Sequence, residues 1–185
     1  MWVERISCAS GAPCGPALER WLAIFNSARL VLLAVWFGAA LFFSVVVAPA
    51  AFGVLRSHGL PNASELAGAI VTRSLAVVNV AGCVVALLLL VTLLVRRGSA
   101  GRVAFLAEAI CLALIAVATG VGHWIIAARM RALRAAMVLP IDQIAADDVR
   151  RVAFNSLHGY SVNALGLAMI AALVVLVLMS RTLRQ

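Results

Sequence analysis

Four long runs of apolar residues, separated by stretches that contain arginine, dominate the pattern of the chain. They cover residues 29–55, 74–95, 103–128 and 153–180. As a helix that rises 1.5 Å per residue, each run is long enough to cross a hydrocarbon core of about 30 Å. Because the short connection at 96–102 favours antiparallel neighbours, we expect successive spans to alternate in direction. The pattern therefore predicts an all-α polytopic membrane protein with four transmembrane helices in an antiparallel bundle.

The chain before the first run has a different character. Glycines and prolines at positions 11, 13, 15 and 16 predict an irregular leader, and the Trp21 segment that follows is typical of the membrane interface. We therefore divide the chain into residues 1–26, a leader with an interfacial helix, and residues 27–185, the four-helix transmembrane domain. Pro49, near the end of the first span, should kink that helix or loosen its last turns.

Composition agrees with a membrane location. Apolar residues make up 65% of the chain and charged residues 12%, against roughly 45–50% and 25% in soluble domains. The basic residues are all arginines that flank the apolar runs, so they indicate headgroup anchors rather than a nucleic-acid partner. We expect a multi-pass protein of the cell inner (plasma) membrane. The 96–102 hairpin and the C-terminal tail are basic without any acid, which favours both termini in the cytoplasm.

The fourth run begins with polar side chains that a membrane helix seldom carries. Residues 152–167 include Asn155, Ser156, His158, Ser161 and Asn163. Polar groups at that depth are expensive and usually face a bundle interior or a cavity. This segment therefore predicts the polar wall of an intramembrane site.

Alternating spans bring further polar residues to the same membrane face. Asn79 lies in the second span, and His123 lies on a stripe of small residues in the third span. A stripe of this kind lets helices approach closely, so His123 should face protein. We predict a ligand-binding site formed by Asn79, His123, Asn155, His158, Ser161 and Asn163. The alternative is that the stripes are packing seams and that the asparagines form hydrogen bonds between helices.

All three histidines of the chain fall toward this face. They are His58, His123 and His158, which suggests metal binding or axial ligation of a b-type haem as an alternative role. The four cysteines show no C-x-x-C spacing, which argues against a zinc site. We expect no bound cofactor, with haem b or a transition metal as the alternatives.

The third span carries an acidic residue, Glu108, near its start. Arg29 lies at the same end of the first span, so we predict a structural ion pair between Arg29 and Glu108, with a proton relay as the alternative role for Glu108.

Two motifs resemble a known membrane family. The first is Trp36-Phe37-Gly38, Phe42-Phe43 and Val47-Ala48-Pro49 with Phe52 and Leu55, and the second is Phe154-Asn155-x-Leu157-His158 with Ser161 and Asn163. They resemble a family catalogued as domain of unknown function 4149, which is similar to the eukaryotic transmembrane-protein-205 type, over about residues 26–181. Thr72-Arg73-Ser74-Leu75 departs from the aromatic residue expected early in the second span. The resemblance implies a four-span bundle without an established reaction. A more distant likeness to copper-resistance membrane domains keeps metal handling among the hypotheses.

Three functions fit these observations. The first is binding or transport of a small solute or a cation at the intramembrane polar site. The second is a membrane redox protein that holds haem b or a metal. The third is a non-catalytic scaffold or assembly factor that binds other membrane helices. The chain lacks a Ser/His/Asp constellation, a phosphate loop and paired carboxylates in the spans, so we favour a non-enzymatic role. The expected partners are the lipid bilayer and either a second copy of the chain or other membrane helices.

Overall fold

The computed structural model describes residues 16–60, 62–95 and 101–182, which form four long helices. Helix α1 consists of an α-helical segment Pro16–Phe42, a π-helical segment Phe43–Val47 and an α-helical segment Ala48–Ser57. Helix α2 is Ala63–Val95. Helix α3 consists of Arg102–Gly120, a π-helical segment Val121–Ile126, and Ala127–Ala135. A short 3₁₀ turn, Ile141–Gln143, precedes helix α4, Val149–Thr182.

All four helices are long and apolar enough to cross a membrane, with candidate spans Ala23–Ser57, Ala63–Leu94, Arg102–Ala135 and Val149–Arg181. The predicted all-α class with four packed membrane helices is confirmed. Each helix extends beyond the run that predicted it, because helical structure continues into the flanking polar residues. Residues 1–15 of the predicted leader lie outside the described residues, and from Pro16 onward the helix enters the first span without a break.

The helices form a ring in which α1 packs on α2, α2 on α3, α3 on α4, and α4 on α1. Contacts between α2 and α3 show that these neighbours are antiparallel, since Glu65 meets Arg134 at one end and Asn79 packs against Gly122 further along. The centre of the ring is closed by side chains with no more than 1% exposure: Leu33, Leu89, Leu112, Ile115, Thr119 and Val175. Five alanines with no exposed surface, one on α1, two on α2 and two on α4, let the helix backbones approach closely.

The π-helical segment of α1 has a cause in the sequence. Pro49 has no backbone N–H and its ring clashes with the carbonyl one turn earlier, so a regular helix cannot continue through it. The structure accommodates this with the π-helical segment Phe43–Val47, in which the N–H of Ala48 donates to the Phe43 carbonyl. The irregularity predicted at Pro49 thus takes the form of a local π-bulge, a common way to adjust a helix around a proline.

Two polar side chains of α1, Trp36 and Arg29, contact other helices within the apolar interior. The indole Nε1 of Trp36 donates to the Val78 carbonyl of α2 at 2.9 Å. Near the other end of the spans, Arg29 Nη2 lies 2.8 Å from Glu108 Oε1 of α3 and donates to the Leu89 carbonyl of α2 at 3.3 Å. Arg29 therefore contacts the neighbouring helix α2 and the opposite helix α3 from a position that is only 6% exposed.

At the end of the bundle opposite the Arg29–Glu108 pair, the connection between α1 and α2 is short and the connection between α3 and α4 is longer. Helix α1 ends at Ser57, and Gly59 then takes a φ of +63°, with its N–H donating to the Arg56 carbonyl. Glycine adopts this conformation without the strain of a Cβ, which is why it commonly ends helices. The connection between α3 and α4 contains the 3₁₀ turn. Both connections leave four helix ends side by side, which we call the cavity end of the bundle.

Candidate functional site

A cavity of about 960 Å³ opens between the four helix ends at the cavity end. Its size lies at the upper end of the range usual for small-molecule sites. All four helices contribute to its wall, together with the connection between α3 and α4. We call it the arginine cavity, because five arginines line it: Arg56, Arg73, Arg131, Arg134 and Arg151.

The spacing of these residues along each helix explains why they share a wall. On α3, Arg131 and Arg134 are three residues apart and therefore lie on one face of the helix. On α4, Arg151, Asn155 and His158 follow at steps of four and three, which again places them on one face. The long side chains of arginine can extend from a helix end toward the polar boundary while their stems remain against apolar surface.

The charge of the cavity is strongly unbalanced. Against the five arginines, the lining includes two carboxylates, Glu65 and Asp142, which leaves an excess of three positive charges. Glu65 is already engaged, because its Oε1 accepts a hydrogen bond from Arg134 Nη2 at 2.5 Å. Mutual repulsion of like charges in a partly enclosed site disfavours this arrangement unless an anion enters it.

Two of the cavity arginines are held in place by backbone carbonyls. Arg134 also donates to the carbonyls of Met137 and Leu139, at 3.3 and 3.2 Å, and Arg151 donates to the Ile144 carbonyl. These contacts fix both guanidinium groups against the connection that precedes α4. Arg134 and Arg151 thus form a positioned part of the cavity wall.

The other three arginines are less constrained. Arg56 lies over the ring of Phe52, with 5.6 Å between its Cζ and the ring centroid. Within the described part of the chain, no carboxylate lies in ion-pair distance of Arg56, Arg73 or Arg131. All three are exposed at the mouth of the cavity. They therefore offer free guanidinium groups, which bind carboxylate and phosphate oxygens in bidentate geometry.

Asn155 and His158 are the members of the predicted polar site that line the arginine cavity. Both are exposed to it rather than buried in the bundle. An amide and an imidazole add further hydrogen-bonding groups beside the guanidinium groups. The apolar part of the wall includes side chains from each helix and from the α3–α4 connection: Phe52, Val71, Met130, Met137 and Phe154.

The remaining predicted residues lie elsewhere. Asn79 is 4% exposed and its amide packs against the backbone of Gly122, while Ser161 is 6% exposed within the bundle. Asn163 is exposed on the outer side of α4. His123 lies in the π-helical segment of α3, where its ring meets Trp124 edge to face and its Nδ1 is buried without a hydrogen-bond partner. The structure therefore does not gather the six residues around one pocket.

The histidines are also separated. His58 is exposed, with Nδ1 2.8 Å from the Val54 carbonyl, whereas His123 and His158 line different cavities. Among the described residues, no three His, Cys, Asp or Glu side chains form a group that could hold a metal ion. His123 and His158, the two histidines predicted to lie in the site, therefore do not share a cavity.

A second, shallower cavity of about 580 Å³ lies on the outer surface of the bundle along α2. Its floor is formed by one stripe of α2, which includes Ala76, Val77, Val80, Val84 and Leu88, with Leu32 of α1 and His123 of α3 at its sides. We call it the apolar groove. His123 is the polar side chain in its lining.

One acidic residue beside the site, Asp148, accepts hydrogen bonds at the start of α4. Asp148, just before α4, accepts hydrogen bonds from the backbone N–H of Arg150, at 2.8 Å, and from its guanidinium group. The Arg150 side chain, followed by its backbone N–H, lowers the pKa of Asp148 below the ordinary value of an aspartate. Asp148 therefore caps the start of α4, the helix that carries Arg151, Asn155 and His158.

The arginines were the part of the site that sequence reasoning missed, because each was interpreted separately as a headgroup anchor. A signal was present in the sequence. All five flank spans on the side opposite the chain termini, so that alternating helices bring them to one end. What the pattern could not show is which of the arginines on that side turn inward.

Comparison with known proteins identifies the chain at the level of a family. No curated protein and no solved structure matches it. The family described as Domain of unknown function (DUF4149) matches residues 31–138, which is more than half of the chain and extends from α1 through α3. The resemblance predicted from the motifs is confirmed over these residues, and the chain belongs to the DUF4149 family.

Proposed function

We propose that this membrane protein binds a small anionic solute in the arginine cavity. The observation that carries the proposal is the charge of the lining: five arginines face two carboxylates, and one of those carboxylates is paired. The sequence led us to expect a small solute or a cation. The excess positive charge disfavours a cation and favours an anion with several oxygens, such as a phosphate or a carboxylate.

The proposal concerns binding and does not require passage across the bilayer. Beyond the cavity, the ring is filled by fully buried leucines such as Leu33, Leu89 and Leu112, and the Arg29–Glu108 pair lies nearer the other end. A solute that entered the cavity would meet this packed interior. Binding at one membrane face is therefore the function that the geometry supports best.

Binding can be tested with the full-length protein in detergent and inorganic pyrophosphate as the probe. We expect pyrophosphate to raise the unfolding temperature in a concentration-dependent manner, and choline at equal ionic strength to have no comparable effect. Replacing both Arg73 and Arg131 by Gln removes two guanidinium groups that have no carboxylate partner among the described residues. Since a hydrogen bond to a charged group contributes about 1.5–3 kcal/mol, the affinity should fall by at least about tenfold.

A matched control is available on the same helix. Arg129 is exposed on α3, two residues from Arg131, but it does not line the cavity. Arg129→Gln should leave pyrophosphate binding within about twofold of the native affinity, apart from a small long-range effect of charge. Equal losses in the Arg131→Gln and Arg129→Gln variants would show that the anion responds to overall charge, and would refute a site in the cavity.

A further inference from the structure

The arginine cavity and the apolar groove adjoin each other. Ala76 of α2 lines both of them. On α3, Met130 lines the cavity and His123 lines the groove. The two cavities therefore meet at Ala76 on α2, where the strongly charged cavity continues into an apolar groove.

The dimensions of the groove match one leaflet of a bilayer. It extends along α2 from Ala76 to Leu88, which corresponds to about 18 Å at 1.5 Å per residue. Half of a bilayer hydrocarbon core is about 15 Å. The groove thus runs from the level of the arginines toward the middle of the membrane, as a hydrocarbon chain does when its headgroup lies at the surface.

His123, the polar residue in the groove, lies near the end of the groove that adjoins the arginine cavity. His123 follows Gly122, whose backbone packs against Asn79, so His123 is near the Ala76 end rather than the Leu88 end. The order along α2, from the cavity to the end of the groove, is therefore guanidinium groups, one imidazole and then aliphatic side chains. This order matches the phosphate, the ester-linked glycerol and the acyl chain of a lipid.

We infer that the solute bound by this protein is an anionic phospholipid, with its phosphate among the cavity arginines and one acyl chain in the apolar groove. The inference rests on the proposed function, because it takes the arginine cavity to be an anion site. Charge complementarity selects the headgroup, and the continuity of the groove with the cavity selects a ligand that carries a chain. A free phosphate would use the cavity alone.

Native mass spectrometry of the full-length protein in detergent can test this, with three probes. Dioleoyl phosphatidylglycerol supplies the anionic headgroup and the chains, dioleoyl phosphatidylcholine supplies the same chains without net charge, and glycerol phosphate supplies the headgroup without chains. We expect phosphatidylglycerol to bind at least about tenfold more tightly than either of the other probes.

A pair of tryptophan variants separates the chain from the headgroup. Val80 lies in the groove, so Val80→Trp should fill it and weaken phosphatidylglycerol binding by about tenfold while leaving glycerol phosphate unchanged. Val91 is exposed on the same helix outside the groove, so Val91→Trp should change neither. Because both sites are on the outer surface, each variant should retain the fold, which its helix content verifies.

The outcomes distinguish this inference from the proposal beneath it. Equal phosphatidylglycerol affinities for Val80→Trp and Val91→Trp, or no preference for the lipid over glycerol phosphate, would overturn the lipid assignment. If binding of pyrophosphate still depended on Arg73 and Arg131, the anion site itself would stand. If neither lipid nor pyrophosphate binding depended on these arginines, both conclusions would fall.

Discussion

The ion pair between Arg29 and Glu108 permits a quantitative test of what holds the bundle together. The pair joins α1 to α3 at 2.8 Å, and its side chains are 7% and 12% exposed. Glu108→Ala would leave the Arg29 guanidinium in an apolar interior with the Leu89 carbonyl as its remaining contact among those described, at 3.3 Å. Removing one partner of a buried pair costs about 3–5 kcal/mol, because the other charge remains uncompensated. We therefore expect a loss of this size in the free energy of unfolding.

Removing both charges should have a much smaller effect. Replacing Arg29 by Met and Glu108 by Leu keeps similar volumes and leaves no buried charge, and such replacements are often neutral or stabilising. We expect the free energy of unfolding of the double variant to lie within about 1 kcal/mol of the native value. This loss is much smaller than the sum of the two single losses. The single variants Arg29→Met and Glu108→Leu complete the cycle, and the loss in the double variant minus the sum of these two single losses measures the energetic coupling of the side chains.

The free energies can be obtained by titrating the protein in mixed micelles with sodium dodecyl sulfate and following helix content by circular dichroism. Glu65→Ala supplies a matched control, since Glu65 also pairs with an arginine but both side chains of that pair are more exposed, at 37% for Glu65 and 27% for Arg134. Exposed pairs contribute about 0–1 kcal/mol, so this variant should lose no more than that. A Glu108→Ala loss no larger than the control, or a double variant as unstable as the two single losses combined, would refute the reasoning.

Three further predictions follow from single positions. Gly82→Ala places a Cβ 2.6–2.7 Å from ring atoms of the buried Trp36, so it should cost about 1–3 kcal/mol in the same titration, whereas Gly68→Ala, which meets no atom within 4 Å, should cost nothing. The pKa of Asp148 is lowered in the folded protein, so its stabilising contribution is complete above the unfolded value of about 3.9 and is lost as the pH falls through the folded value. The difference in unfolding free energy between the native protein and Asp148→Ala should therefore shrink at low pH, and a difference that does not change with pH would contradict this assignment. Val138 is 96% exposed in the connection at the cavity end, so a label there reports the orientation of the protein in the membrane. If both termini are cytoplasmic, Val138→Cys in a cysteine-free background should react with a membrane-impermeant maleimide in intact cells. Labelling only after lysis would show the opposite orientation.

The fold could be predicted from sequence because a bilayer imposes a strong and local requirement. A backbone in hydrocarbon must satisfy its own hydrogen bonds, so each apolar run of sufficient length becomes a helix whatever its neighbours do. The same locality limited the prediction of helix ends. Residues 63–73 are polar enough to resemble a connection, yet they are helical, since α2 begins at Ala63 and carries Glu65 to its contact with Arg134.

The polar site was harder to predict, because it depends on how each helix is rotated. The sequence predicts that Asn155 and Asn163 belong to one site, but eight residues of an α-helix leave them about 80° apart. That rotation is enough to separate their surroundings: Asn155 lines the arginine cavity, while Asn163 is exposed on the outer side. Ser161 is rotated in the other direction and is buried in the bundle. Which of these orientations faces the cavity depends on the packing of α4 against both neighbours.

The two charged regions of the bundle differ in a way that bears on function. Near one end of the spans, Arg29 and Glu108 balance each other inside the protein. At the cavity end, Arg73 and Arg131 line the cavity, without a carboxylate in ion-pair distance among the described residues. Headgroup anchoring alone would not require these arginines to line a cavity, since Arg129 lies on the same helix and remains outside it.

Like charges gathered in one cavity should reduce the stability of the empty protein. Replacing Arg73 and Arg131 by Gln should therefore stabilise the protein without a ligand while weakening its affinity for an anion. If these arginines had a purely structural role, replacing them would instead destabilise the protein without a ligand. The direction of the stability change in the absence of ligand thus separates a binding site from a surface that only anchors the bundle in the membrane.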